Sequence, residues 1–230
     1  MDNQLKKVTH CIFDMDGLLL DTERLYSEAM QMILDKYGKT FTFEVKEQIM
    51  GLQTKAAAEF MVQHYDLPIP WEEWAKQQQA NTEKLMLHSQ LMPGAERLLR
   101  HLHATKTPFA LATSSGLHMM ELKTTDHREL FGLFNHKVCG SSDKEVANGK
   151  PAPDIFLVAA ARFKVPPAAA DCLVFEDSPN GVTAGISAGM QVVMVPDPRM
   201  PQEKCSHATQ VLSTLEDFKP EQFGLPPFKE

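Results

Sequence analysis

Six side chains at four places along the chain are of types that can act together. Asp14 and Asp16 lie in Phe13-Asp14-Met15-Asp16-Gly17, and Thr113 opens Thr113-Ser114-Ser115. Lys150 sits in Gly149-Lys150-Pro151, and Glu176 and Asp177 lead into Ser178. Four carboxylates brought to one place repel one another unless a cation sits among them. Hard oxygen donors suit Mg2+, which prefers octahedral coordination and keeps some of its water. Lys150 and Thr113 add a positive charge and a hydroxyl donor, as a transferring phosphoryl group requires. A carboxylate whose charge is offset by Mg2+ can attack phosphorus and form an aspartyl-phosphate. A second carboxyl two residues on can protonate the leaving group and then activate water. Taken singly, each piece has a plainer reading. Asp14 and Asp16 would be turn residues, Glu176-Asp177-Ser178 a helix cap, Lys150 a surface lysine and Thr113 a polar strand end. It is their joint placement that points to chemistry.

That placement depends on the elements before them. Continuous apolar runs, of the kind expected for strands buried on both faces, occur at Val8–Phe13, Pro108–Ala112, Lys137–Cys139, Cys172–Phe175 and Gln191–Val195. Helical patterns lie between most of them. One begins at Pro93, another covers Asp154 to Phe163, and a third has Ser178 as N-cap and Pro179 at its first position. Strands alternating with helices predict a doubly wound, Rossmann-like parallel sheet. Ligands bind such sheets beyond the carboxyl ends of the strands. The acids, the threonine and, beyond a loop, the lysine all follow strand ends. Asp16 lies past its strand, and a turn at Gly17 can bring it back over the site.

The stretch from Leu19 to about Gln90 breaks the alternation. It reads as consecutive helices near Thr22–Tyr37, Phe43–Met50, Lys55–Tyr65 and Trp71–His88, punctuated by Gly38, Gly51 and Leu67-Pro68-Ile69-Pro70. The expected organisation is an α/β core of residues 1–18 and 90–230, interrupted by an α-helical cap domain at 19–89.

Phe13-Asp14-Met15-Asp16-Gly17 with Leu20-Asp21-Thr22, Thr113-Ser114, Lys150-Pro151-Ala152-Pro153-Asp154 and Glu176-Asp177-Ser178-Pro179-Asn180-Gly181 resemble, in order, the four motifs of haloacid dehalogenase-like phosphohydrolases. The resemblance covers nearly the whole chain and implies a phosphomonoesterase for a small, nucleotide-like phosphorylated metabolite. It implies Asp14 as nucleophile and Asp16 as general acid/base. Mg2+ would bind the Asp14 side chain, the Asp16 backbone carbonyl and Asp177, with Glu176 supporting the metal shell. Thr113, Ser114 and Lys150 would hold the phosphoryl group, and the cap would close over substrate and read the leaving group. Dehalogenases of the fold lack the second acid, so Asp16 favours phosphoryl transfer. Some sugar-phosphate mutases carry a cap arginine shortly after a glycine. The stretch here, Gly51-Leu52-Gln53-Thr54-Lys55, has none, and Lys55 lacks the planar fork. A sugar-phosphate phosphatase, a phosphomutase and a catalytically silent binding protein are the competing readings.

Composition bounds the rest. The chain has 230 residues, 43% of them hydrophobic, and a formal net charge of −7, which argues against a nucleic-acid polymer as partner. Cys11, Cys139, Cys172 and Cys205 are widely spaced, as expected of free thiols in a reducing compartment. The N-terminal residues lack a signal-peptide core, and the longest apolar run, Ile155 to Ala161, is too short for a membrane span. A cytoplasmic monomer is expected. Trp71 and Trp74, three apart on one helix, are assigned to a cap core rather than to stacking on a base. His101 and His103 point to different helix faces and are read as solvated.

Overall fold

The computed structural model describes residues 5–49 and 52–229. The N-terminal four residues, the expected helix end at Met50, and Gly51 lie outside them. The chain forms two compact units, Met1–Asp21 with Gln90–Glu230, and Thr22–Ser89. Residues 19–21 thus fall with the α/β unit: Leu19 and Leu20 are buried in its core, and Leu20 bridges Leu91.

The α/β unit is built on six parallel strands: β1 (His10–Phe13), β2 (Phe109–Thr113), β3 (Lys137–Cys139), β4 (Cys172–Glu176), β5 (Gln191–Met194) and β6 (Gln210–Val211). Their order is β3-β2-β1-β4-β5-β6. In register, Phe13 faces Leu111 on one side and Phe175 on the other. Alternate residues serve opposite faces. Cys11, Phe13, Phe109, Leu111, Leu173 and Phe175 belong to one core, with the Phe13 and Phe175 rings stacked at 4.4 Å. Ile12, Ala110, Ala112, Val174 and Val192 belong to the other. This period of two with both faces covered is why the strand sequences read as unbroken apolar runs.

The cap-side unit consists of four helices, α1 (Thr22–Leu34), α2 (Phe43–Ile49), α3 (Thr54–His64) and α4 (Trp71–Met86). A short 3-10 turn at Asp35–Tyr37 follows α1, and Gly38 at φ 63° ends it. Trp74 is fully buried among Ile33, Leu34, Val45, Met61 and Tyr65, with Trp71 packed against that cluster. Lys55 pairs with Glu59 at 3.7 Å and lies 5.4 Å from the Trp71 ring centroid.

Five helices flank the sheet: α5 (Ala95–Ala104), α6 (Leu117–Lys123), α7 (Arg128–Phe131), α8 (Asp154–Ala161) and α9 (Pro179–Ser187). α5, α6 and α7 cover the Phe13 face, and α8 and α9 cover the Ile12 face. α6, α7 and β6 were not expected from the sequence. They have seven, four and two residues, too few for a period to register. His101 is half-buried rather than solvated. Its Nε2 is 2.8 Å from the Pro226 carbonyl and its ring packs on Phe228, because the C-terminal residues return across α5. All four cysteines are free and buried. Among the described residues, no helix is long and apolar enough to cross a membrane.

Candidate active site

Chain order reverses at the centre of the sheet: β1 leads outward through β2 and β3, and the chain then returns to β4 on the other flank of β1. Loops leaving β1 and β4 diverge there, which opens a crevice at their carboxyl ends. Asp14 leaves β1 at this point, held by its N–H to the Phe175 carbonyl at 3.0 Å. Glu176 is the last residue of β4 and Asp177 follows it. One carboxylate oxygen from each of Asp14, Glu176 and Asp177 lies within 4.8 Å of the others.

Lys150 enters this cluster from the long loop after β3. Its Nζ donates to Asp14 Oδ1 at 2.5 Å, to Glu176 Oε1 at 2.6 Å and to the Ala112 carbonyl at 3.3 Å. Arg162, just beyond α8, ties the loop down by donating to Asp143 at 2.5 Å and Glu145 at 2.6 Å. The Asn148 N–H adds a bond to Asp154 at 2.9 Å. Both carboxylates raise Lys150 above the ordinary lysine value against the opposing effect of its own burial.

Glu176 organises the turn from β4 into α9. Its Oε2 accepts from the Asp177 N–H at 2.9 Å, the Ser178 N–H at 3.0 Å and the Ser178 hydroxyl at 3.0 Å. Ser178 Oγ in turn caps the helix by accepting from the Gly181 N–H at 3.1 Å. The carboxylate lies so close to α9 that a Cβ on Gly181 would fall 1.8 Å from Glu176 Oε1. Gly181 is thus the residue that leaves room for the acid.

Asp16 is brought back by Gly17, whose φ of 79° lets the chain reverse and its N–H reach the Leu20 carbonyl at 2.9 Å. Thr113 Oγ1 donates to Asp16 Oδ2 at 3.3 Å and accepts from the Ser115 N–H at 3.1 Å. Ser114 is exposed, and its carbonyl accepts from Ser141 at 2.6 Å. It is Ser115 that turns to Asp16, donating to Oδ2 at 2.9 Å. Lys123 of α6, fully buried, donates to Asp16 Oδ1 at 2.5 Å. The sequence reading missed Ser115 and Lys123. The available signal was a lysine at the inward i+3 position from Met120 in an otherwise apolar helix face.

Burial lifts the Asp14 carboxyl to about 7. Lys150 opposes the rise, while Glu176 and Asp16 add to it. Three clustered carboxylates against one ammonium therefore leave an excess of negative charge among hard oxygen donors. That donor set fits Mg2+. The carboxylates of Asp14, Glu176 and Asp177 lie close enough together to hold it.

A family model for haloacid dehalogenase-like hydrolases matches residues 8–189 of the chain. The chain belongs to the haloacid dehalogenase-like hydrolases. A Drosophila melanogaster member named "Probable pseudouridine-5'-phosphatase" is 76% identical over 98% of both chains. The (DL)-glycerol-3-phosphatase 2 of Arabidopsis thaliana is 46% identical, over 97% of this chain and 94% of its own. A HAD family hydrolase from Deinococcus radiodurans shares the fold at a TM-score of 0.78, with 24% identity over 96% of this chain and 99% of its own. Within the haloacid dehalogenase-like hydrolases this chain is a phosphoric monoester hydrolase for a small phosphorylated metabolite. Its Asp14, Glu176 and Asp177 are the acidic cluster of a Mg2+-dependent site.

Proposed function

We propose that the enzyme hydrolyses pseudouridine 5'-monophosphate to pseudouridine and inorganic phosphate through an aspartyl-phosphate on Asp14. The observation that carries the chemistry is the Asp14–Glu176–Asp177 cluster with Lys150 bonded inside it. The substrate rests on the 76% identity to the Drosophila protein.

In the first half-reaction an Asp14 oxygen bonds to phosphorus as the ester P–O bond breaks. Asp16 gives its proton to the departing alkoxide oxygen. In the second, Asp16 takes a proton from water, the water oxygen bonds to phosphorus, and the bond to Asp14 breaks to release phosphate. Lys150, with Thr113 and Ser114 at the end of β2, holds the phosphoryl oxygens. Asp14, the Asp16 carbonyl and Asp177 would hold Mg2+, and Glu176 fixes the Asp177 backbone. When bound, Mg2+ would supply charge neutralisation for the attack on phosphorus. The helical unit, Thr22–Ser89, supplies the substrate selectivity. The enzyme acts as a cytoplasmic monomer on a small molecule and not on a nucleic-acid polymer. The support for the compartment is its four unpaired thiols, and for excluding a nucleic-acid polymer its net charge of −7.

A phosphate-release screen with Mg2+ tests this, using pseudouridine 5'-phosphate, uridine 5'-phosphate, glycerol 3-phosphate and hexose phosphates. The expected result is highest kcat/KM on pseudouridine 5'-phosphate, abolished in Asp14→Asn. Preference for glycerol or hexose phosphates overturns the substrate. An isomerised sugar phosphate in place of free phosphate indicates a mutase, and silence across the panel indicates a binding protein.

A further inference from the structure

Lys123 ends α6 with its side chain fully buried, yet no step above uses it. An ammonium taken out of water is costly unless it is closely paired, so its placement calls for an explanation. Its Nζ donates to Asp16 Oδ1 at 2.5 Å and to Ser115 Oγ at 2.9 Å. Ser115 passes the interaction on by donating to Asp16 Oδ2 at 2.9 Å, and Thr113 donates to the same oxygen at 3.3 Å. Both Asp16 oxygens are thereby hydrogen-bonded, while its side chain keeps 20% of its surface open. Lys123 has no exposed surface with which to meet a phosphoryl group. Met120 of α6 and Thr124 just beyond the helix are themselves buried, which anchors the lysine from the helix side.

We infer that Lys123, acting with Ser115, is a positioning residue that holds the Asp16 carboxyl group on the line of proton transfer to the leaving group. The inference rests on the role assigned to Asp16 above. Asp16 stands beyond the end of β1 on a turn, where a side chain has several rotamers. Misplacing an acid by about 1 Å can cost on the order of 10²-fold in rate. Two bonds from a buried lysine and a relay through a serine remove that freedom. Lys150 performs the corresponding restraint on Asp14, so each carboxylate of Phe13-Asp14-Met15-Asp16 has its own lysine, drawn from a different part of the chain.

The test exploits the leaving group. An alkoxide needs a proton as it departs, whereas p-nitrophenolate does not. The rate of the first half-reaction is measured by rapid quench for an alkyl phosphate and by the p-nitrophenolate burst for p-nitrophenyl phosphate. The enzymes compared are wild type, Lys123→Met, Ser115→Ala and Asp16→Asn, all with Mg2+. Lys123→Met is expected to slow the alkyl ester on the order of 10²-fold, within the range of general acid catalysis, and the aryl ester less than about 5-fold, with KM unchanged. Ser115→Ala, which retains the lysine and keeps the test alive where Lys123→Met does not fold, shifts the same ratio in the same direction by about 5-fold or more. Equal slowing of both esters, or slowing of neither, in the folded variants overturns the inference. Asp16→Asn separates the two failures: if it does not discriminate between the esters, the assignment of Asp16 is at fault and the inference falls with it, whereas if it discriminates and the Lys123 and Ser115 variants do not, the inference alone fails.

Discussion

Replacing Lys150 by methionine leaves Asp14 and Glu176, 8% and 1% exposed, without the ammonium that bonds both. Breaking a buried ion pair from one side costs about 3–5 kcal/mol. Part of the strain is already present in the wild type: with Asp14 lifted from 3.8 to about 7, the folded carboxyl forfeits about 4 kcal/mol at pH 7 and about 2 kcal/mol at pH 5.5. The sign follows from linkage. A carboxyl raised in the folded state binds its proton there first, so the folded state gains as pH falls towards the unfolded value. Lys150→Met is expected to lower metal-free stability by about 3–5 kcal/mol at pH 7 and by less at pH 5.5, where Asp14 holds a proton in both proteins. Mg2+ at about 100 times its dissociation constant should return about 3 kcal/mol. Urea denaturation followed by circular dichroism reads this, since both tryptophans lie in the Thr22–Ser89 unit and do not report on the sheet. The double variant Asp14→Asn, Lys150→Met should be more stable than Lys150→Met alone, because it removes one of the stranded charges. A cost below about 1 kcal/mol at pH 7, or one that does not shrink at pH 5.5, refutes the reasoning.

Gly181→Ala puts a methyl 1.8 Å from Glu176 Oε1 and should weaken Mg2+ binding at least about 10-fold by displacing the acid that fixes Asp177, as read by metal titration of the folded variant. Arg162→Ala frees Asp143 and Glu145, and should raise hydrogen exchange across residues 143–150 and lower kcat several-fold, about 3 to 10; unchanged exchange there counts against the loop's anchoring. Burial holds His10 and His136 below the ordinary histidine value, so the unfolded chain protonates first and stability falls as pH drops below about 6.5. The double variant His10→Gln, His136→Gln should show a smaller loss of thermal midpoint between pH 7.5 and 5.5 than wild type; an identical loss would assign the effect elsewhere.

The linear sequence determined a great deal about this protein, because much of what matters is local or periodic. A strand buried on both faces must be apolar at every position, so β1, β2, β4 and β5 are visible as runs around Ile12, Ala110, Val174 and Val192. A helix that starts against a turn needs a cap and tolerates proline, so Ser178-Pro179 marks the start of α9. The acids Asp14, Asp16, Glu176 and Asp177 are found because each ends such a strand or lies within three residues of its end, and parallel strands put all their carboxyl ends at one edge. Tertiary structure decided which partner each acid has. Lys150 and Lys123 approach from the loop of residues 140–153 after β3 and from a seven-residue helix, and neither direction is encoded by a period. Ser115 rather than Ser114 turns to Asp16, with its N–H held by Thr113 Oγ1. Gly181 is required by a carboxylate five residues earlier that folds back on its own helix. Such relations depend on distances through space. A buried charge must find its counter-charge wherever the packed chain supplies one, and nothing in the spacing along the chain says where that is.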